Sequence, residues 1–177
     1  RVKYVPPFVD TDLFSPPSAR AKRSDPDLQL VFVGRLHRWK GGELLLRSLA
    51  GVAGVHLTMI GNGPEEAAWK RLASRLGLDQ IVSWLPAVSH DDLPSHLQKM
   101  GALVLPSITG TTWREQFGRV LAEAMSCGLA VIGSSSGEIP RVVGGDGLVV
   151  PEGDAGALRS AIETLRDNRS LCRDFGE

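Results

Sequence analysis

The stretch Leu28-Gln-Leu-Val-Phe-Val33, which Gly34 closes, is a short apolar run containing β-branched residues, and it predicts a buried strand. Five similar runs recur along the chain, and residues with helical spacing fill most of the intervals between them. We predict these further strands at residues 55–60, 81–84, 102–105, 129–132 and 148–150. Apolar strands that alternate with helices are typical of a parallel sheet covered on both faces. The sequence therefore predicts a doubly wound, Rossmann-like α/β domain.

Helical spacing is found in four of these intervals and again after the last predicted strand. The first predicted helix follows Lys40-Gly-Gly42, where apolar residues recur at helical spacing from Leu44 to Val52. Further helices are predicted at residues 65–76, 91–98, 117–126 and 154–166, the last with Asp154 as its amino-terminal cap.

Length and composition limit the possible functions. The 177 residues suit one domain rather than two. Twenty Lys and Arg residues balance twenty Asp and Glu residues, so we expect no nucleic-acid partner, and any anion site must be local. Two cysteines are too few for a disulfide scaffold and fit a reducing compartment. No apolar run approaches the ~18 residues of a transmembrane helix.

The chain divides into two parts. We expect residues 1–27 to be an extension and linker that enters the domain, and residues 28–177 to form the domain itself. Within the first part, Asp10 begins a predicted turn, which an exposed linker follows. The chain has no initiator Met and opens on a strand-like run, so we expect it to be a piece of a longer protein.

Two cations follow the first strand. In open parallel sheets, ligands lie beyond the carboxyl ends of the strands, so the residues after each strand are candidate binding residues. Arg35 and Lys40 precede Gly41 and a predicted helix start. Guanidinium and ammonium groups beside a helix amino terminus attract phosphate. The segment predicts an anion site, with a solvated basic loop as the alternative.

Two glutamates follow the fourth strand. Glu115 lies in a predicted loop, and Glu123 lies among apolar residues of the predicted helix 117–126. A carboxylate at such a position is costly unless it is paired or bound to a ligand. Carboxylates also accept hydrogen bonds from vicinal sugar hydroxyls, so the pair suggests sugar recognition. The alternative is that Glu123 faces solvent and Glu115 only caps the helix.

Three other patterns argue against other functions. Gly61-Asn-Gly63-Pro64 resembles the start of a dinucleotide fingerprint, but Glu66 replaces its third glycine, so it predicts only a tight turn beside a ligand. Residues 133–137 match the nucleophile elbow of hydrolases, but all four histidines precede them. No His or Cys cluster has metal-ligand spacing, and we expect no metal site.

Together these segments resemble the carboxyl-terminal, nucleotide-sugar-binding half of the family 4 glycosyltransferases, which have the GT-B fold. The motifs occur in the family's order over almost the whole chain. They are Pro7-Phe-Val-Asp10 with Phe14-Ser-Pro16, Gly34-Arg-Leu36 with Lys40-Gly41, Ile60-Gly-Asn-Gly-Pro64, Leu103-Val-Leu-Pro-Ser107, Glu115-Gln-Phe-Gly118 with Glu123-Ala-Met125, and Gly147-Leu-Val-Val-Pro-Glu-Gly-Asp154. Each motif is weak alone, but six in order at the family's spacing are strong.

The resemblance implies a retaining hexosyltransferase that moves a sugar from a nucleoside-diphosphate sugar to an acceptor hydroxyl, without a metal or cofactor. Arg35 and Lys40 would hold the diphosphate and stabilise it as it leaves. Glu115 would contact the hydroxyls of the donor sugar, and Glu123 would hold the ribose. The other residues that it implies are Leu85 within the base-bordering segment 83–87, Gly61 and Gly63 beside the cleft, and Phe117 and Gly118, whose backbone N–H groups would assist Glu115.

The chain departs from the family's motifs in two places. The loop before the first glutamate is modified at residues 109–113, and the usual Gly-Gly pair after the fifth strand becomes Ser136-Gly137. We expect both departures to bear on which sugar fits rather than on the class of enzyme.

The resemblance also implies an acceptor, which would be a sugar, a lipid-linked molecule or a polysaccharide, bound by an amino-terminal half that this chain lacks. We therefore expect a domain that is inactive alone, or nearly so, from a protein in the cytoplasm or peripheral at the inner membrane face. Two other functions stay open: a non-catalytic nucleotide-binding or docking domain, and a GT-B sugar-nucleotide epimerase or phosphorylase.

Overall fold

The computed structural model describes residues 8–17 and 26–175 of the chain. Its strands are β1 (Leu28–Val33), β2 (Val55–Ile60), β3 (Val82–Leu85), β4 (Ala102–Leu105), β5 (Ala130–Ser134) and β6 (Leu148–Val150). All neighbouring strands pair in parallel, in the order β3-β2-β1-β4-β5-β6. The predicted doubly wound α/β sheet is confirmed.

Helices connect the strands within the described part of the chain. They are α1 (Gly42–Leu49), α2 (Glu66–Arg75), α3 (Leu93–Leu97), α4 (Arg119–Ser126), α5 (Ile139–Val143), α6 (Ala155–Asp167) and α7 (Arg169–Asp174), and a 3₁₀ turn at Arg38–Lys40 precedes α1. The Asp154 side chain accepts a hydrogen bond from Ala157 N at 2.8 Å, as predicted for a cap.

Two helices differ from the prediction for local reasons. Helix α4 begins two residues later than predicted, because Gly118 has φ +75° and starts the helix from a left-handed conformation. The sequence pattern does not predict α5, because Pro140 disfavours a long helix. In this five-residue helix Pro140 falls in the first turn, where its missing N–H disrupts no helical hydrogen bond.

Two apolar layers cover the two faces of the sheet. Side chains of α1, α2 and α6 pack on one face, and those of α3, α4 and α5 pack on the other. Along β1 the side chains alternate between them, since Leu30 and Phe32 join the first layer and Val31 joins the second. This double burial explains why the strand is apolar throughout.

The segment 8–17 packs on the second layer. The Asp10 carboxylate accepts hydrogen bonds from Asp12 N and Leu13 N at 3.1 and 3.2 Å, which confirms the predicted turn. Phe14 is buried in the layer, and Gln98 Nε2 donates to Ser15 O at 2.8 Å. The predicted linker at residues 18–25 lies outside the described residues, so the division at residue 27 stays a prediction.

The strand order determines where a crevice can form. From β1 the chain proceeds outward through β2 and β3 and then returns to β4, on the other side of β1. At such a switch point the connecting helices diverge to opposite faces, which leaves a crevice at the carboxyl ends of β1 and β4. Within residues 8–17 and 26–175, no helix combines the length and the apolarity needed to cross a bilayer.

Candidate functional site

A cavity of about 730 Å³, here called the rim cavity, occupies this crevice. Segments that follow β1, β2, β3 and β4 contribute to its wall. The lining residues are 33–35, Lys40, 60–62, 87–90, Leu93, Leu105, 115–120 and Glu123. Both predicted cations and both predicted glutamates therefore lie on the wall of the same cavity.

Lys40 and Glu115 form an ion pair in the rim cavity. Lys40 Nζ lies 2.6 Å from Glu115 Oε2, and Ser107 Oγ donates to the same oxygen at 3.0 Å. The Glu115 side chain is only 9% exposed and that of Lys40 is 23% exposed. Lys40 Nζ also lies 5.2 Å from the centre of the Trp113 ring. The Glu115 charge is thus balanced and hydrogen-bonded, and Glu115 does not act as a simple helix cap.

The 3₁₀ turn positions Lys40. It connects β1 to α1, and Ile108 N donates to Trp39 O at 2.7 Å, which ties the turn to the loop after β4. Because this loop also supplies Ser107, the same contact brings Lys40 and Glu115 together.

Glu123 lies in α4 and is less well paired. Its side chain is 5% exposed, and its Oε1 atom is buried without a hydrogen-bond donor among the described residues. Arg119 Nε lies 2.9 Å from Oε1, but its N–H is not aligned for a hydrogen bond, and His90 Nδ1 lies 4.0 Å away. Because the Arg119 side chain is 63% exposed and its N–H is misaligned, this contact is weak despite the short distance.

Arg35 and Gly61 form the centre of the wall. Arg35 is exposed at the carboxyl end of β1 and Gly61 follows β2. A Cβ atom at Gly61 would lie 1.9 Å from Gly34 O, so only glycine allows the two strand ends to approach so closely. Both glycines line the rim cavity at this point of close approach.

The other predicted residues divide into two groups. Phe117 and Gly118 line the rim cavity. Leu85 and Gly63 lie outside its wall: Leu85 pairs with Ile60 in the sheet, and a Cβ at Gly63 would lie 2.2 Å from Leu36 O. Gly63 therefore packs against the loop that presents Arg35, and ligand contact by these two residues stays a prediction.

Several lining residues are not identified by the sequence. The Asn62 side chain accepts a hydrogen bond from Ala87 N at 3.1 Å and so links the loops after β2 and β3. Gln116, Arg119 and His90 also line the cavity. Asn62 stands between two glycines of a predicted turn, and this position could have marked it as a site residue. No sequence pattern marks His90, because its ring packs against that of Phe14, 76 residues earlier, with 4.9 Å between the ring centres.

Among residues 8–17 and 26–175, no group of three or more His, Cys, Asp or Glu side chains is placed to hold a metal ion. The ligand chemistry that these residues do offer is that of cations, carboxylates and free backbone N–H groups around one cavity.

Comparison with known proteins identifies the family. The model of the family "Glycosyl transferases group 1" matches residues 18–177. A D-inositol 3-phosphate glycosyltransferase of Mycobacterium bovis (strain BCG) is 33% identical over 178 residues, which cover 93% of this chain and 36% of that protein. The chain belongs to the glycosyl transferases group 1, and it spans about a third of the length of the curated relatives that it matches.

Solved structures agree with this assignment. Sucrose-phosphate synthase from Thermosynechococcus elongatus superposes with a TM-score of 0.82 at 29% identity, over 96% of this chain and 44% of that one. Anabaena Alr3699/HepE, solved in complex with UDP and glucose, has a TM-score of 0.82 at 23% identity, over 95% of this chain and 48% of that one. The chain therefore has the Rossmann-like α/β fold of a glycosyltransferase domain of the GT-B type.

Proposed function

We propose that this chain is the donor-binding domain of a retaining family 4 glycosyltransferase, which transfers a hexosyl group from a nucleoside-diphosphate sugar to an acceptor hydroxyl. One observation supports the proposal most: two cations and two buried carboxylates line one cavity at the switch point of the sheet. Cations suit a diphosphate, and carboxylates suit the hydroxyls of the two sugar rings on either side of it.

The diphosphate would lie at the carboxyl end of β1. Arg35 offers a planar fork of donors, and Lys40 a point charge. Helix α1 begins directly after Lys40-Gly41, so its free N–H groups and its dipole add positive potential at the same place. These groups would stabilise the negative charge that develops on the departing nucleoside diphosphate, without a metal or cofactor.

Donor binding would redistribute the Lys40–Glu115 ion pair. In the free domain the ammonium lies 2.6 Å from the Glu115 carboxylate. A diphosphate within reach of Lys40 would share that ammonium, and the Glu115 oxygens would then accept hydrogen bonds from the transferred sugar. Sugar recognition would thus depend on the arrival of the diphosphate.

Glu123 would bind the ribose. Its buried Oε1 lacks a hydrogen-bond donor, and a buried acceptor without a partner costs free energy. A ribose hydroxyl in the rim cavity would supply that donor. The segment 83–87 would border the base, with Ala87 on the cavity wall.

The rest of the proposal concerns the whole protein. We infer that the acceptor, whether a sugar, a lipid-linked molecule or a polysaccharide, binds mainly to another part of a longer protein in the cytoplasm or at the inner membrane face. The isolated domain would then bind the donor without turnover. The name of the mycobacterial relative indicates a phosphorylated cyclitol acceptor for that protein, which makes such acceptors the first to assay here.

Transfer by the full-length protein tests the proposal. With UDP-glucose and inositol 3-phosphate as first substrates, we expect Glu115→Gln to lower kcat about 100-fold, because it weakens contacts to the reacting sugar. We expect Arg35→Ala to raise the donor KM about tenfold. Glu66→Gln and Arg75→Ala should change neither kcat nor the donor KM, since half-buried Glu66 and exposed Arg75 lie on α2 and do not line the rim cavity.

Other outcomes would identify the other functions. Full turnover by Glu115→Gln would contradict the assigned role of that residue. Isomerised free sugar nucleotide would indicate an epimerase, and dependence on added phosphate a phosphorylase. Nucleotide binding without turnover of any donor would indicate a docking domain.

A further inference from the structure

A second cavity, here called the side cavity, adjoins the rim cavity. Its volume is about 660 Å³, and it is lined by residues 112–116, Gly137, Glu138 and Arg141. Glu115 and Gln116 line both cavities. A donor sugar ring that contacts Glu115 in the rim cavity can therefore extend a substituent into the side cavity. Alternatively, the ring of the acceptor can lie in the side cavity and contact Glu115 from there.

One wall of the side cavity is the start of α5. Gly137 has φ +55°, and a Cβ atom there would lie 1.8 Å from Glu115 O. The Glu138 N–H donates to the same carbonyl oxygen at 3.3 Å. The first residues of α5 are thus held against the backbone of the glutamate that the two cavities share.

Another part of the wall is the loop before Glu115. Thr109 donates from its N and Oγ1 to the Glu152 carboxylate at 2.5 and 2.8 Å, and Gly110 N donates to Trp113 O at 2.6 Å. These bonds hold Trp113 beside the cavity, where the indole offers a flat apolar surface to a sugar ring. The two walls are the segments at which the sequence departs from the family's motifs, residues 109–113 and Ser136-Gly137.

The charges on the wall favour an anion. The charged lining residues are Arg114, Arg141, Glu115 and Glu138, and the Glu115 charge is already balanced by Lys40. Two guanidinium groups then face one remaining carboxylate. Arg141 Nη1 lies 3.5 Å from Glu138 Oε2, and both side chains are largely exposed, so this pair is weak. Arg141 also takes part in a further contact, and an incoming anion would share the several N–H donors of the guanidinium with these partners.

We propose that the side cavity binds an anionic substituent, a carboxylate or a phosphate, on a sugar or cyclitol ring that contacts Glu115. This inference rests on the proposed function, because it assumes that the rim cavity binds the nucleoside diphosphate. The anionic ring is either that of the donor, which would be a uronic acid, or that of the acceptor. In both cases Arg114 and Arg141 select charged over neutral rings.

Two titrations of the 177-residue chain distinguish these sources, after the affinity for UDP alone has been measured by calorimetry. The first compares UDP-glucuronic acid with UDP-glucose. The second adds inositol 3-phosphate or inositol to the chain with and without saturating UDP. Each is repeated with Arg114→Met, with Arg141→Met and with Arg75→Met, a control on the exposed surface of α2.

We expect one of the two anionic ligands to bind about tenfold more tightly than its neutral counterpart, because a guanidinium gains a charge-assisted hydrogen bond. Arg141→Met should remove most of this preference and leave the affinity for UDP within about twofold. Arg75→Met should leave the preference intact.

Equal affinity for charged and neutral ligands in both titrations would overturn the proposal, as would a preference that survives in both Arg114→Met and Arg141→Met. Failure of UDP itself to bind would contradict the proposed function. The inositol 3-phosphate titration without UDP would then still decide whether the side cavity binds anions.

Discussion

The two ends of the rim cavity differ in how completely their carboxylates are satisfied. Glu115 and Glu123 are almost equally buried, at 7% and 4% exposed. Glu115 pairs with Lys40 and accepts a hydrogen bond from Ser107, whereas the Oε1 atom of Glu123 is buried beside Arg119 without a hydrogen bond. Burial alone therefore does not distinguish a carboxylate whose charge is paired and hydrogen-bonded from one that lacks a hydrogen-bond donor.

This difference has energetic consequences. At the Glu115 end, loss of Lys40 would destabilise the free domain, because the Glu115 charge would then be buried without its ion-pair partner. The Glu123 end costs stability in the free domain, since a buried acceptor without a donor loses the hydrogen bonds that it made to water. Substitutions at the two ends should therefore affect folding and ligand binding in different proportions.

The largest expected effect is that of Lys40→Met on stability. The substitution leaves Ser107 as the remaining hydrogen-bond donor to the buried Glu115 carboxylate. We expect the free energy of unfolding to fall by about 2 kcal/mol. This is less than the cost of breaking a fully buried ion pair, because the Lys40 side chain is partly exposed. Urea denaturation measures it. Lys70→Met is the matched control: it breaks an ion pair of 2.7 Å whose side chains are far more exposed, and should cost less than about 0.5 kcal/mol. Equal losses in the two variants would mean that the Glu115 end is not a compensated buried pair.

Glu123→Gln should separate binding from stability. We expect UDP affinity to fall about tenfold, equivalent to about 1.4 kcal/mol, because the amide cannot accept both ribose hydrogen bonds as a carboxylate does. The free energy of unfolding should stay within about 0.5 kcal/mol or rise, since the charge that is removed is buried and is opposed by the exposed, misaligned guanidinium of Arg119. Calorimetry and urea denaturation of the same samples give both quantities. A variant that loses stability but binds UDP normally would assign Glu123 to the fold instead.

Ser107→Ala tests the hydrogen bond at the Glu115 end. Ser107 is fully buried and its hydroxyl donates to Glu115 Oε2, so we expect a loss of about 1 kcal/mol in unfolding free energy. Ser95→Ala is the control, because its exposed hydroxyl donates to Asp92 O at 2.8 Å in water-accessible surroundings. Equal unfolding free energies for the two variants would show that the Ser107 hydrogen bond adds no stability, and that Lys40 alone compensates the buried Glu115 charge.

The smallest effect is expected for Arg119→Met. Its short but misaligned contact with Glu123 should contribute no more than about 0.3 kcal/mol to the free energy of unfolding. Arg47→Met provides the comparison: Arg47 makes aligned hydrogen bonds of 3.0 and 2.8 Å to Glu43 at the same i,i+4 spacing. A loss above about 1 kcal/mol in Arg119→Met would mean that Glu123 is paired in the free domain, and the contrast with Glu115 would disappear.

The fold follows from local patterns, because buried parallel strands need apolar residues on both faces. The runs at residues 28–33 and 55–60 predict β1 and β2 with the bounds that are observed. Short elements depend on backbone details that spacing does not reveal. The conformation of Gly118 delays α4, and Pro140 is accommodated because α5 is so short.

Charge is the main signal by which the sequence itself predicts the site, and the family resemblance adds Gly61, Phe117 and Gly118, which also line the cavity. Arg35, Lys40, Glu115 and Glu123 stand out as charged residues at strand ends or among apolar neighbours, and they meet in one cavity. The pairing of Lys40 with Glu115 spans 75 residues and arises from contacts between two loops, such as that of Ile108 with Trp39. No pattern along the chain encodes such a contact, so the difference between the two glutamates becomes visible only in three dimensions.

The most direct measurement is a titration of the isotope-labelled chain with UDP, followed residue by residue through its backbone amide NMR signals. We expect saturable shifts throughout the rim cavity: at Gly34 and Gly61 near the diphosphate, at residues 116–118 near Glu115, and at Glu123 near the ribose. We expect little change on α6, which packs on the opposite face of the sheet. Shifts confined to Gly34 and Gly61, to Glu123 or to α6 would contradict a single cavity that binds the diphosphate and the adjoining ribose together.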